Sequence, residues 1–201
     1  MPQPWHYEDD AVRIRKLCVG PLENNAYIVS CARTGKAVVI DAAAEADRLA
    51  AALGGLTPLA ILTTHGHWDH VQAARGLADR LSIPFRLHAA DAAAFGLEPD
   101  EPVAAGLVSV GDLAIEAVPT PGHTPGSVCF SLPGIVFSGD TLFPGGPGAT
   151  AGPEEFATVL ESVEAGLFTL PDATIVMPGH GLDTTIGTER PSLPAWRARG
   201  W

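Results

Sequence analysis

The sequence predicts a layered α/β protein folded as one domain over residues 1–201, on three observations. Apolar runs of strand length recur between Gly, Pro and Asp; helical patterns lie between those runs; and the two halves repeat a similar order of strands and helices. The first half reads as strands at 12–19, 26–30 and 37–41, a helix at 45–53, a strand at 59–63, a helix at 69–81 and a strand at 85–87. A short helix is expected at 91–95. The second half reads as strands at 113–118, 128–132 and 135–138, a helix at 154–167 and a strand at 174–177. The helix at 154–167 has a well-formed start, because Pro153 suits a first turn and Glu154 and Glu155 suit the positive helix end.

Composition narrows the function classes. With 46% apolar and 17% charged residues the chain is globular rather than disordered, and 201 residues can close a single core. Residues 1–10 have neither a cationic start nor an apolar stretch, so no export signal is expected. No window reaches the roughly 20 apolar residues of a membrane span. Cys18, Cys31 and Cys129 are odd in number and lack paired spacing, and they read as small buried hydrophobes in a reducing cytoplasm. A net charge of −11 argues against nucleic acid or an anionic membrane as partner, since both require Lys and Arg to neutralise phosphate. A small-molecule substrate is the expected partner; the oligomeric state is not legible.

The chemistry is concentrated in a few turns. Of seven histidines, three fall in Thr64-His65-Gly66-His67-Trp68-Asp69-His70, directly after the apolar run Leu59-Ala60-Ile61-Leu62. Such a run aims neutral nitrogen donors and an anionic oxygen at one volume, as a borderline-soft divalent metal requires. A plain core has no use for it, because each buried imidazole or carboxylate needs its own partner. His123 sits in Pro121-Gly122-His123-Thr124-Pro125-Gly126-Ser127, His180 in Pro178-Gly179-His180-Gly181, and Asp140 closes Ser138-Gly139-Asp140-Thr141. All follow strand-like runs and sit in turns that fix a side chain's angle. Seven donors suit two metals better than one.

These four motifs, which follow one another as the His65–His70 run, His123, Asp140 and His180, resemble the metallo-β-lactamase superfamily, and within it the glyoxalase II (hydroxyacylglutathione hydrolase)-like branch; the resemblance spans residues 12–190. It implies an αββα sandwich, two mixed sheets flanked by helices, with metals at one edge. It also implies a first site of His65, His67 and His123, a second of Asp69, His70 and His180, and Asp140 bridging two divalent ions, zinc foremost, with iron or manganese as alternatives. The implied reaction is attack on a thioester by a hydroxide shared between the metals, which Asp69 also orients. The familiar metallo-β-lactamases carry Cys where this chain has Asp140, so the chain sides with the thioester hydrolases.

Two departures count against glutathione thioesters. Only 21 residues follow His180, which leaves out the helical C-terminal domain of larger glyoxalase II enzymes. The loop Pro144-Gly145-Gly146-Pro147-Gly148-Ala149-Thr150 holds no basic residue where the family often has an arginine. Arg190, in a tail also holding Arg197, Arg199, Trp196 and Trp201, is a candidate for an anionic substrate group; the alternative is that the Trp residues dock the tail on the core. Asp41 is a candidate outer partner for a ligand histidine, or a plain turn residue. His6 and His88 read as structural. Two other functions stay open: a persulfide dioxygenase-like oxidoreductase with one iron on His65, His123 and Asp140, and a metal-binding regulator without turnover.

Overall fold

The computed structural model describes residues 4–201. The elements run β1 (Tyr7–Glu8), β2 (Val12–Val19), β3 (Asn24–Cys31), β4 (Lys36–Ile40), α1 (Ala46–Leu53), β5 (Thr57–Leu62), α2 (Trp68–Val71), α3 (Ala74–Leu81), β6 (Phe85–His88), α4 (Ala89–Phe95) and β7 (Glu101–Val103). They continue with β8 (Gly106–Val110), β9 (Leu113–Pro119), β10 (Val128–Leu132), β11 (Ile135–Gly139), α5 (Pro153–Ser162), β12 (Ile175–Pro178), β13 (Thr184–Thr185), α6 (Ile186–Glu189) and α7 (Leu193–Arg199).

The first seven strands form one sheet in chain order, and the other six form a second, in the order β13-β12-β11-β10-β9-β8. Both are mixed: β4, β5, β6 and β7 pair in parallel, as do β11 and β12, while the other pairs are antiparallel. Alternate residues of each strand point to opposite faces, so a strand covered on both sides must be apolar throughout. Every residue of β3, β10 and β11 is buried accordingly.

Three apolar clusters make the layers. Ile14, Tyr27, Val29, Val38 and Ile40 of the first sheet meet Ile115, Phe130, Phe137 and Met177 of the second. The outer face of the first sheet, with Ile28, Val39 and Ile61, is covered by Leu49, Leu53 and Leu77 of α1 and α3. The outer face of the second, with Cys129, Val136 and Val176, is covered by Phe156, Val159 and Leu160 of α5 and by Trp196 of α7. The expected αββα sandwich of two mixed sheets is therefore the observed fold.

The differences from expectation have local causes. The helix expected at 69–81 is two helices, because the Ala73 amide donates to the Ala42 carbonyl (3.0 Å) and pins the chain to the turn after β4. That break lets α2 aim Asp69 and His70 independently of α3. The segment 154–167 is helical, but its last turn, Val163–Leu167, widens to a π-helix. The strands β1, β7, β8 and β13 and the helices α6 and α7 were not anticipated; the shortest, of two residues each, carry no period to read. Cys31 and Cys129 are buried as expected, whereas Cys18 is exposed. No helix among the described residues is long and apolar enough to cross a membrane.

Candidate metal centre

The donor-bearing turns all leave the sandwich at one edge. His65 and His67 follow β5, and Asp69 and His70 lie on α2 just beyond them. His123 follows β9, Asp140 follows β11 and His180 follows β12. The strands β9, β11 and β12 run the same way, so their C-terminal ends meet. This placement brings together all seven residues picked out from the sequence as metal donors. Donor atoms within 4.8 Å of one another form three sets: His65, His67 and His123; His65, His70 and Asp140; Asp69, His70 and His180.

Spacings match a metal cage. His123 Nε2 lies 3.3 Å from His65 Nε2 and 2.9 Å from His67 Nδ1. His70 Nε2 lies 3.3 Å from Asp140 Oδ1, and His180 Nε2 lies 3.4 Å from Asp69 Oδ2 and 3.7 Å from Asp140 Oδ2. Nitrogens each about 2.1 Å from a tetrahedral ion stand about 3.4 Å apart. His70 Nε2 and Asp140 Oδ1 are also buried without a hydrogen-bond partner. Leaving such atoms unsatisfied costs about 1–3 kcal/mol each, so a cation between them resolves what the protein leaves open. The donor chemistry, imidazole and carboxylate with no thiolate, suits divalent zinc, iron or manganese.

Four of the five imidazoles are anchored by one nitrogen and offer the other. His70 Nδ1 donates to Asp41 Oδ2 (2.9 Å), His123 Nδ1 to the Ala149 carbonyl (2.6 Å) and His180 Nδ1 to the Leu22 carbonyl (3.0 Å). His65 Nδ1 donates to Thr64 Oγ1 (3.1 Å), which itself donates to Asp41 Oδ2 (2.7 Å). Asp41 thus supports both His65 and His70, the outer-partner arrangement that fixes a ligand's tautomer. It sits at φ +56°, a conformation that Asp adopts more readily than most residues.

Charge divides the cluster. Burial pushes His65 well below the ordinary histidine value, aided by the neighbouring His70 and His123. Burial also lowers His67. For His70 burial pulls the same way, but the carboxylates of Asp41 and Asp140 overcome it and raise the imidazole to about 10. In return, Asp140 stays below the usual carboxylate range despite its burial. In the metal-free protein His70 is therefore expected to be a cation at pH 8 and His65 neutral. Imidazole nitrogen shifts measured by NMR would check this, and a neutral His70 at pH 7 would contradict it.

Glycines let the turns close. A Cβ on Gly179 would lie 2.3 Å from Asp140 Oδ1 and 2.6 Å from His70 Cε1. Gly179→Ala must displace both, so it should lower stability by about 1–3 kcal/mol and weaken metal uptake at Asp69, His70 and His180 more than at His65, His67 and His123. Titration with zinc, followed by calorimetry, measures both; unchanged affinity would refute the crowding.

Several residues that complete the site were not picked out from the sequence. Asn24 Nδ2 donates to Asp69 Oδ2 (2.9 Å) and lies 3.2 Å from His180 Nε2. Asn25 Nδ2 donates to the carbonyls of Pro178 (2.9 Å) and Gly181 (3.0 Å), and Tyr27 Oη donates to that of Pro178 (2.7 Å). The start of β3 thereby holds the His180 turn of the opposite sheet. Asp91, fully buried on α4, braces two other turns. Its Oδ2 accepts from the Gly66 amide (2.6 Å) and Thr124 Oγ1 (2.7 Å), and its Oδ1 accepts from the Gly126 amide (2.6 Å). The only sequence sign was polarity at a position where the helix α4 meets the core.

The structure does not bring Arg190 to the cluster. Its guanidinium pairs with Asp172 and the Leu170 carbonyl and lies over Phe168, so it is engaged within the tail. Trp196 is buried against the core, while Trp201 is exposed. His88 caps α4 through Nδ1 and His6 pairs with Asp183, both structural.

Residues 19–180 match the family model described as the metallo-beta-lactamase superfamily. The chain is 36% identical to the probable metallo-hydrolase YqgX of Bacillus subtilis, over 90% of this chain and 95% of that one. It is 32% identical to the hydroxyacylglutathione hydrolase GloC of Haemophilus influenzae, over 79% and 86%. Similar solved structures include BLEG-1, titled a B3 metallo-beta-lactamase (TM-score 0.79, 32% identity, 90% and 98% covered). Others are TTHA1623 in a di-iron-bound form (0.77, 36%, 90% and 100%) and ETHE1 from Myxococcus xanthus (0.79, 30%, 90% and 83%). Fold, donor cluster and family model agree: the chain belongs to the metallo-β-lactamase superfamily of metallo-hydrolases.

Proposed function

We propose that the protein is a dinuclear metallo-hydrolase that cleaves a thioester of a low-molecular-weight thiol in the cytoplasm. The observation that carries this reading is the presence of two donor trios with Asp140 in reach of both, its Oδ1 near His70 and its Oδ2 3.7 Å from His123 and His180. His65, His67 and His123 would hold one ion, Asp69, His70 and His180 the other, and Asp140 both. Bound there, such ions acidify water to near neutral pH and polarise a carbonyl oxygen.

The remaining work falls to the chain itself. Asn24 fixes Asp69 by one oxygen, Oδ2, and leaves Oδ1 to take a proton from the attacking water. Asp41 keeps the His70 proton on Nδ1 and so keeps Nε2 facing inward. The departing sulfur needs no dedicated acid, because a thiol has a pKa near about 8.5 and leaves readily as thiolate. Relatives named hydroxyacylglutathione hydrolase, at 32–39% identity, support thioester chemistry, and the di-iron form of TTHA1623 supports a two-metal site.

The likeness to ETHE1 keeps the second reading, a persulfide dioxygenase-like oxidoreductase with one iron on His65, His123 and Asp140. It gives Asp69 and His180 no metal to hold, which favours the first. A panel of thioesters, a β-lactam and a persulfide with oxygen uptake recorded would separate them. Thioester turnover with no oxygen uptake is expected. Oxygen uptake on persulfide alone overturns the proposal, and turnover of none of the panel would favour a metal-binding regulator.

A further inference from the structure

A cavity of about 480 Å³ opens directly on His67 and His123. Its walls are apolar: Phe95, Pro121 and Pro125 face it, and the Phe95 ring stands edge-on to His67 with centroids 5.2 Å apart. Gly66 leaves room for Phe95, since an added Cβ there would lie 2.6 Å from the ring. One charged side chain lines the cavity, Glu155 in the first turn of the ten-residue helix α5. Among the described residues no lysine or arginine lines it. Two of the three tail arginines are engaged elsewhere, Arg190 with Asp172 and Arg197 with Glu164, and Arg199 does not line the cavity. A group entering from solvent therefore meets aromatic and proline surface and an exposed carboxylate with no lysine or arginine beside it.

We propose that this cavity receives the leaving-thiol side of the thioester as an apolar group tipped with a cation, and that Glu155 sets that preference and disfavours anionic thiols. This rests on the hydrolase reading for the word thioester; the charge preference stands on the cavity alone. An exposed carboxylate acts weakly on a charge, by a few-fold for attraction and a similar factor for repulsion. Together these predict a discrimination of about tenfold between cationic and anionic ligands of one shape.

The test uses the metal-loaded protein and three acetyl thioesters of matched size, made from thiocholine, 3,3-dimethylbutanethiol and 3-mercaptopropionate. It is paired with calorimetric binding of the corresponding ketones, in which methylene replaces sulfur. Cation over neutral over anion is the expected order in both kcat/KM and ketone affinity. Glu155→Gln should flatten the order and Glu155→Lys should invert it. Equal or opposite order in the wild-type protein, an order that survives Glu155→Lys, or no ketone binding would each overturn the inference. Ketones that bind in the expected order while no thioester is cleaved would sink the hydrolase reading and leave the charge preference standing. Cleavage without any charge order would do the reverse.

Discussion

Asp140→Asn is expected to reduce kcat/KM by about two to three orders of magnitude, the scale of losing one preorganised electrostatic group in a buried site. It should also drop the metal content from two ions per chain to one. The cause is positional. Among the described residues Asp140 is the only carboxylate within 4 Å of donors from both trios, 3.3 Å from His70 and 3.7 Å from His123 and His180. Asparagine keeps the shape but offers one neutral oxygen, so it cannot offset two cations. It also removes an anion that holds His70 as a cation when metal is absent, so the metal-free variant should show a lower His70 pKa. Kinetics, metal analysis and imidazole NMR on one preparation read all three effects. Retention of two ions and full activity would show that Asp140 does not join the sites.

Asp91→Ala is expected to be the most destabilising single change outside the apolar core. It strands the Gly66 and Gly126 amides in a buried place and takes one of two partners from the Thr124 hydroxyl, which keeps Ser127 Oγ at 2.7 Å. At about 1–3 kcal/mol for each unsatisfied donor, the loss should reach about 3 kcal/mol or more. For a domain of this size that lowers Tm by roughly 10 °C. Because Asp91 ties the turn of His65 and His67 to the turn of His123, the first metal should weaken with it, by about 10–100-fold. Asp91→Asn separates the two effects: it keeps an acceptor for one turn and should recover part of the stability but less of the affinity. Thermal unfolding with and without zinc measures this, and an Asp91→Ala protein with wild-type zinc affinity would refute the bracing role.

The donors were legible because their signal is local. Three histidines and an aspartate in six residues, and histidines in Pro-Gly turns, have no use in a plain core, and the structure gathers all of them at one edge. Asp41 was legible only as one of two alternatives, since a turn aspartate after an apolar strand has several uses. Asn24, Asn25, Tyr27 and Asp91 were not legible. They act on backbone amides or carbonyls or on donor side chains 25 to 156 residues away, and such a bond leaves no spacing in the sequence. The surroundings of Arg190, like those of Asp41, were legible only as one of two alternatives. Its partner Asp172 lies 18 residues earlier, and only the folded tail brings the two together. The main strands and helices were read to within a few residues because they are long and apolar on at least one face. The two-residue strands and the break between α2 and α3 depend on tertiary pairing.

Counting metal ions decides between a joined pair of sites and a single one. The protein should be purified without oxygen, chelator or added metal, and its metal content measured per chain together with thioester turnover. Two ions per chain, of zinc, iron, manganese or a mixture, with turnover that a chelator abolishes and zinc restores, is the predicted result. One iron per chain that zinc cannot replace, with no thioester cleaved, would contradict it.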